Sequence, residues 1–152
     1  MIEEKIRSFG YEISDLPAPV AMYVPAIKEG NFIFTAGQIP LSDGKVKYTG
    51  KIGQDLTEED GRKASELCVV NCLRVIKSLI KNLDKIEGII RVNVFVNSTD
   101  GFINQSKVAN GASDFLVKVF GEVGKHVRST VGVNELPLNA AVEIDMIAKV
   151  KD

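Results

Sequence analysis

The stretch Val127–Val150, V-R-S-T-V-G-V-N-E-L-P-L-N-A-A-V-E-I-D-M-I-A-K-V, constrains the fold more than any other part of the chain. Side chains alternate between faces along a strand, so apolar residues recurring with period two read as β-structure. Val127, Ser129, Val131 and Val133 point one way, and Arg128, Thr130 and Gly132 the other. In the second run Val142, Ile144, Met146 and Ala148 share a face, while Glu143 and Asp145 take the opposite one. The connection Asn134–Asn139 carries Pro137, which is tolerated between strands rather than inside one. The pattern predicts two neighbouring strands with Arg128 and Glu143 on their minority faces. A cross-strand ion pair, or two solvated rim charges, is the simplest account of them.

The remaining elements alternate in type. Ile2, Ile6 and Phe9 follow a helical spacing that Gly10 would stop. Residues 11–19 hold two prolines and read as a loop. Val20–Ile27 and Phe32–Ala36 read as strands around a turn at Lys28–Asn31, with Gly37 breaking the second. Pro25 puts the first at an edge or a bend. Ser42-Asp43-Gly44 is a further turn, followed by the short run Lys45–Tyr48. Thr57-Glu58-Glu59-Asp60 is a capping-box pattern with Asp in place of Glu. After it, Ala64, Leu67, Cys68, Cys72, Val75, Leu79 and Leu83 form one helical stripe. Ile89–Asn97 alternates as a strand, with Ile90, Val92, Val94 and Val96 against Arg91, Asn93, Phe95 and Asn97. Phe102–Phe120 is a second amphipathic helix, started by Ser98-Thr99-Asp100 and ended by Gly121. The order β-β-(β)-α-β-α-β-β, with a small N-terminal helix at residues 1–10, predicts a single α+β domain over residues 1–152. Its one sheet has both helices packed on one face. The strands are apolar on both sides, so the second face calls for burial by another subunit.

Two blocks carry a resemblance. R-S-T-V-G-V-N-E-L-P-L-N-A-A-V-E-I-D-M-I-A, from Arg128, resembles the C-terminal signature of the reactive intermediate deaminase (YjgF-like, RidA-like) family. Gly30-Asn31-Phe32-Ile33-Phe34-Thr35-Ala36-Gly37-Gln38-Ile39-Pro40 resembles that family's G-N-x-x-x-x-S-G-Q-I-P. The resemblance spans about residues 15–150, with the N-terminal helix as an addition. It implies a chorismate-mutase-like fold and a homotrimer whose sheets close a barrel, with sites at subunit interfaces. It implies hydrolysis of 2-imino or 2-enamino acids to 2-oxo acids and ammonia, and no cofactor or metal. Arg128 would bind the substrate carboxylate through its rigid fork, and Glu143 would hold the attacking water. Tyr23 would close the pocket wall. Gly37 would let backbone approach the ligand. Asn110 would match a ligand-contacting Asn of the second helix, and Thr130 stands where many members carry Cys. Gly132 stands where many have Glu, Glu135 where a basic residue is common, and Ala21-Met22 where the family has Gly-Pro. From the sequence alone Tyr23 reads equally as a core or interface aromatic and Gly37 as a turn residue, and Asn110 reads as an exposed helix residue. His126 lies on the side of Arg128 by alternation and could act as a proton carrier at the pocket mouth; an exposed loop histidine is the plainer account.

Charge and composition narrow the alternatives. Lys and Arg number 19 against 20 Asp and Glu, for a net charge of −1. That leaves no basic footprint for nucleic acid and ranks an endoribonuclease below a deaminase and below a non-catalytic, carboxylate-metabolite-binding or chaperone-like trimer. Cys68 and Cys72, one helical turn apart with a single His elsewhere, read as small core residues rather than metal ligands. No run reaches the length of a membrane span. The N-terminus M-I-E-E-K-I-R lacks the apolar core of a signal peptide, so a cytoplasmic location is expected.

Overall fold

The computed structural model describes residues 1–14, 16 and 22–152. A five-stranded mixed sheet has the order β1-β2-β7-β5-β6, formed by β1 (Ala26–Glu29), β2 (Phe32–Thr35), β5 (Ile86–Asn97), β6 (Val127–Val133) and β7 (Val142–Val150). Helices α2 (Glu58–Ile80) and α3 (Gln105–Phe120) lie on one face of it. This is the expected α+β layer arrangement. A separate two-residue ribbon pairs β3 (Leu41–Ser42) with β4 (Lys45–Val46). Its turn, Asp43-Gly44, has φ of 52° and 74°, the two left-handed residues that match the twist of a tight hairpin. Residues 20 and 21 of the expected first strand lie outside the described residues; the observed strand starts at Ala26.

The core forms where helix stripe and sheet parity agree. Val92, Val94 and Val96 of β5 and Val142, Ile144, Met146 and Ala148 of β7 are buried beneath α2 and α3. Cys68 and Cys72 belong to this core, donating their S–H groups to Val142 O at 3.5 Å and Ile144 O at 3.4 Å. Burial pushes the Cys72 thiol up to about 12. The capping box forms as written: Thr57 Oγ1 accepts from Asp60 N–H, and Thr57 N–H donates to Asp60 Oδ2. Leu79, expected in the apolar stripe, is exposed instead. The first turn expected of the second helix is absent, and Ile103 lies 85% exposed before α3 begins at Gln105.

Two strand expectations change. A bulge between Ile89 and Arg91 turns Ile89 into the core and leaves Ile90 partly exposed, so the alternation is regular only from Arg91 onward. More consequentially, β6 and β7 are not neighbours. β6 pairs in parallel with β5, and β7 pairs antiparallel with the other edge of β5. A parallel pair needs a long crossover, which α3 supplies. The segment after β6 then crosses the end of β5 instead of folding back, with Leu138 and Asn139 both in left-handed conformation. Buried Asn97 holds that crossing by donating through Nδ2 to Ala140 O and Asn139 Oδ1. Lys51 Nζ braces it from outside, donating to Asn97 Oδ1 and Asn134 O and pairing with Glu135.

The N-terminal helix α1 (Ile2–Ser8) buries Ile6, and Phe9 and Tyr11 pack edge-on against Phe115 of α3. Glu3 Oε1 accepts from Leu83 N–H, and Ile2 N–H donates to Asp84 Oδ1. Gly111 sits where α2 and α3 meet. A Cβ there would lie 2.6 Å from Ser65 Oγ and closer still to the Arg62 carbonyl oxygen. Alanine is intrinsically the better helix former by about 1 kcal/mol, but the clash is with backbone and overpacking costs about 1–3 kcal/mol. Gly111→Ala is therefore expected to destabilise the protein, read as a lower urea midpoint; an unchanged or higher midpoint would show that the helices do not meet at this point.

Candidate functional site

The six residues singled out in the sequence fall into two groups on opposite faces of the sheet. Paired residues on adjacent strands share a face, and Arg128 lies opposite Val92, which lies opposite Met146, so Arg128 is on the helix side. Glu143 lies opposite Phe95, on the face the helices leave open. The cross-strand pair expected from the pattern is therefore absent, for two reasons: β5 stands between the strands, and their charged side chains have opposite parity.

On the helix side, Arg128 lies along a polar stripe of α3. Its Nη1 donates to Asn110 Oδ1 at 3.0 Å and to Ser113 Oγ at 3.0 Å, and its Nη2 donates to Ser106 O at 3.4 Å. Three of five N–H groups are used. The edge made by Nε–H and the second Nη2–H has no partner among the described residues, and no carboxylate there lies within ion-pairing distance. Burial draws the guanidinium pKa down while Asp114 opposes it. Arg128 is thus a half-buried cation held by neutral acceptors, with guanidinium donors left over, and paired guanidinium donors match the geometry of a carboxylate. Asn110 orients Arg128 through a carbonyl oxygen. The Thr130 hydroxyl is sealed from solvent with no hydrogen-bond partner among the described residues, so within this chain it cannot meet a ligand. At exposed Gly132 a Cβ would come within 2.9 Å of Gln105 Nε2 and 3.1 Å of Ser98 Oγ, the ends of side chains that would have to shift.

His126 is half-buried. Its Nδ1 lies 2.7 Å from Gly124 O and its Nε2 lies 2.9 Å from Ser113 Oγ. Burial first, then the charge of Arg128, lowers its pKa, against the opposing bond to Gly124. An exposed loop histidine does not describe it.

On the open face, Glu143, Gly37 and Tyr23 line one groove of about 770 Å³ with Gln38, Asn71 and Pro137. Gly37 is required there by space. A Cβ on it would lie 2.9 Å from Glu143 Cδ and 3.0 Å from Oε2, so the carboxylate rests against bare backbone. Burial, then the charge of Asp145, pushes the Glu143 carboxyl above the usual range. Asp145 itself accepts from Asn93 Nδ2 at 2.8 Å. Glu143 has no such donor among the described residues and is free to accept a proton. Tyr23 is 66% exposed, standing at the rim rather than in a core. Asn71 fixes the groove wall, donating through Nδ2 to Ile39 O and Leu41 O.

Ser113 was not foreseen from the sequence. It lies close to one turn beyond Asn110 on α3, a pairing recognisable only once α3 is known to face β6, whereas Ser106 contributes a backbone carbonyl, which carries no residue signal.

The family model described as "YjgF/chorismate_mutase-like, putative endoribonuclease" matches residues 3–150. The chain belongs to this family. The match takes in most of α1, so the N-terminal helix lies within the family region rather than ahead of it. Protein TCP17 of Trypanosoma cruzi is 36% identical over 99% of this chain and 95% of its own length. A Dermatophagoides farinae protein named 2-iminobutanoate/2-iminopropanoate deaminase is 27% identical over 89% of this chain and 91% of its own. The crystal structure of protein Atu1372 from Agrobacterium tumefaciens has 39% identity and a TM-score of 0.90, covering 99% of this chain and 92% of that one. The fold is thus the chorismate-mutase-like fold of the YjgF family. No helix of the described residues is long and apolar enough to cross a membrane.

The contact at Gly37 yields a test of the groove. Gly37→Ala is expected to push the Glu143 carboxylate off its seat with little loss of stability, because the clashing atoms end a flexible side chain. A crystal structure of the variant checks this; an unmoved Glu143 would mean that the backbone, not the carboxylate, yields.

Proposed function

We propose that this YjgF-family protein is a hydrolytic deaminase of reactive 2-imino and 2-enamino acids, with sites completed between copies in a homotrimer. The observation that carries the reading is the split of the site: a carboxylate receptor at the sheet edge, and a proton acceptor in a groove on the opposite face. One chain offers each half without the other. A neighbouring copy that lays its β6 edge over the open face brings an Arg128 to a Glu143. The open face is suited to cover, since Ile27, Phe34, Val127 and Val131 are all more than two-fifths exposed on it.

In this reading the free edge of Arg128 grips the substrate carboxylate and fixes the imine carbon over Glu143. Glu143 takes a proton from water as the water oxygen bonds to that carbon, and the C=N pair moves to nitrogen, which takes a proton from solvent. The protonated Glu143 then protonates the carbinolamine nitrogen as the C–N bond breaks, and the hydroxyl gives up its proton as the carbonyl forms, leaving a 2-oxo acid and ammonia. The imine carbon is already electrophilic, so orientation and one raised-pKa carboxylate supply what the step needs. An endoribonuclease is less well supported, since the net charge is −1 and no stacking platform lines a basic groove among the described residues.

Ammonia or oxo-acid release from imines generated in solution tests the activity. Arg128→Lys keeps the charge and loses the fork, so kcat/KM is expected to fall about 10- to 150-fold, the value of a hydrogen bond to a charged group. The division between copies has its own test. Arg128→Ala and Glu143→Gln trimers, each inactive, are expected to regain about a quarter of wild-type activity when unfolded and refolded together in equal amounts. Mixed trimers then hold one intact pair. No recovery, or a monomer by sedimentation equilibrium, sinks the shared site.

A further inference from the structure

Arg128 reaches Ser113, and Ser113 reaches His126, which no part of the proposed chemistry uses. With a neutral imidazole, the protons along this chain follow from bonding rules. Gly124 O accepts only, so His126 Nδ1 carries the proton toward it at 2.7 Å. The neutral ring then has a bare Nε2, 2.9 Å from Ser113 Oγ, and Ser113 must donate to it. With its one proton spent, Ser113 Oγ can only accept from Arg128 Nη1 at 3.0 Å. The lowered pKa of His126 agrees with a neutral ring.

A helical serine ordinarily turns its hydroxyl back to a carbonyl one turn earlier. Ser78 of α2 does so, donating to Val75 O at 2.7 Å. Ser113 is diverted outward from its helix, and His126 is what diverts it. Asn110 and Ser113 together occupy both Nη1 hydrogens, which fixes the rotation of the guanidinium plane and leaves the Nε/Nη2 edge facing outward.

We infer that Ser113 and His126 are positioning residues for Arg128: the His126–Ser113 hydrogen bond holds the Ser113 hydroxyl in the rotamer that accepts from Nη1 and so orients the free guanidinium edge toward a ligand carboxylate. The inference rests on Arg128 being the carboxylate receptor of the proposed deaminase, but its geometry can be tested without turnover. Nitrogen-15 NMR of the wild-type protein at pH 7.5 is expected to show His126 as the Nδ1–H tautomer and the Arg128 guanidinium in slow rotation. Ser113→Ala should restore fast rotation. An Nε2–H tautomer, or slow rotation that persists in Ser113→Ala, overturns the positioning role whatever the protein's activity.

With substrate, Ser113→Ala is expected to raise KM about tenfold, the loss of roughly one hydrogen bond to a charged group, with kcat changed far less. His126→Gln keeps an acceptor near the place of Nε2 and is expected to retain near-wild-type KM, while His126→Phe fills the space without one and should behave as Ser113→Ala. Equal KM values for the Gln and Phe variants, both folded by circular dichroism, would overturn the inference. If wild-type protein neither hydrolyses imines nor binds 2-oxobutanoate, the deaminase reading fails, and the NMR measurements still decide whether the couple orients Arg128.

Discussion

The pleat of β5 is the constraint on which the rest depends. It is the only strand of the sheet with β6 on one side and β7 on the other, and every residue of both is assigned a face by its partner on β5. Val92, Val94 and Val96 turn inward to meet α2 and α3, and in doing so send Arg128 and Thr130 to the helix side and Glu143 and Asp145 away from it. A one-residue slip in the β7 ladder would bury a carboxylate under the helices, and one in the β6 ladder would send Arg128 to the open face. Packing and chemistry therefore share one register, and the bulge at Ile89–Arg91 ends just before Val92, so Arg128 pairs with the first regular inward residue of β5.

Much of the fold was legible in the sequence because period-2 and period-3.6 patterns are local. The capping box at Thr57, the burial of Cys68 and Cys72, the break at Gly37 and the two-layer arrangement all follow from residues near one another in the chain. Strand order does not. Nothing in Val127–Val150 distinguishes a hairpin from two strands separated by β5, because both present the same alternation and a Pro-containing connection. What decides between them is a buried amide, Asn97, remote in sequence, whose hydrogen bonds hold the connection over the end of β5. The same lack of long-range information turned two opposed side chains into an expected ion pair.

At the candidate site the motifs named residues and not their partners. Gly37 has a packing reason that spacing alone could not give, the Glu143 carboxylate resting against it. Asn110 contacts the arginine instead of standing free on its helix, and Thr130 is turned inward. Gly132 and Glu135 read as departures in one dimension. In three, Gln105 and Ser98 fill the space beside the first, and Lys51 pairs with the second.

Placing both cysteines under the sheet has a chemical consequence. Each donates its S–H to a β7 carbonyl, neither has surface in contact with solvent, and a threonine occupies the strand position where a third thiol could have stood. Thiolates are the side chains that soft electrophiles and peroxides attack first. A protein with none at its surface can share solution with conjugated enamines, quinones or peroxides without being alkylated or oxidised at sulfur through them. Covalent modification of its thiols would then record time spent unfolded, making the modified fraction a ledger of conformational history rather than of exposure to the reagent.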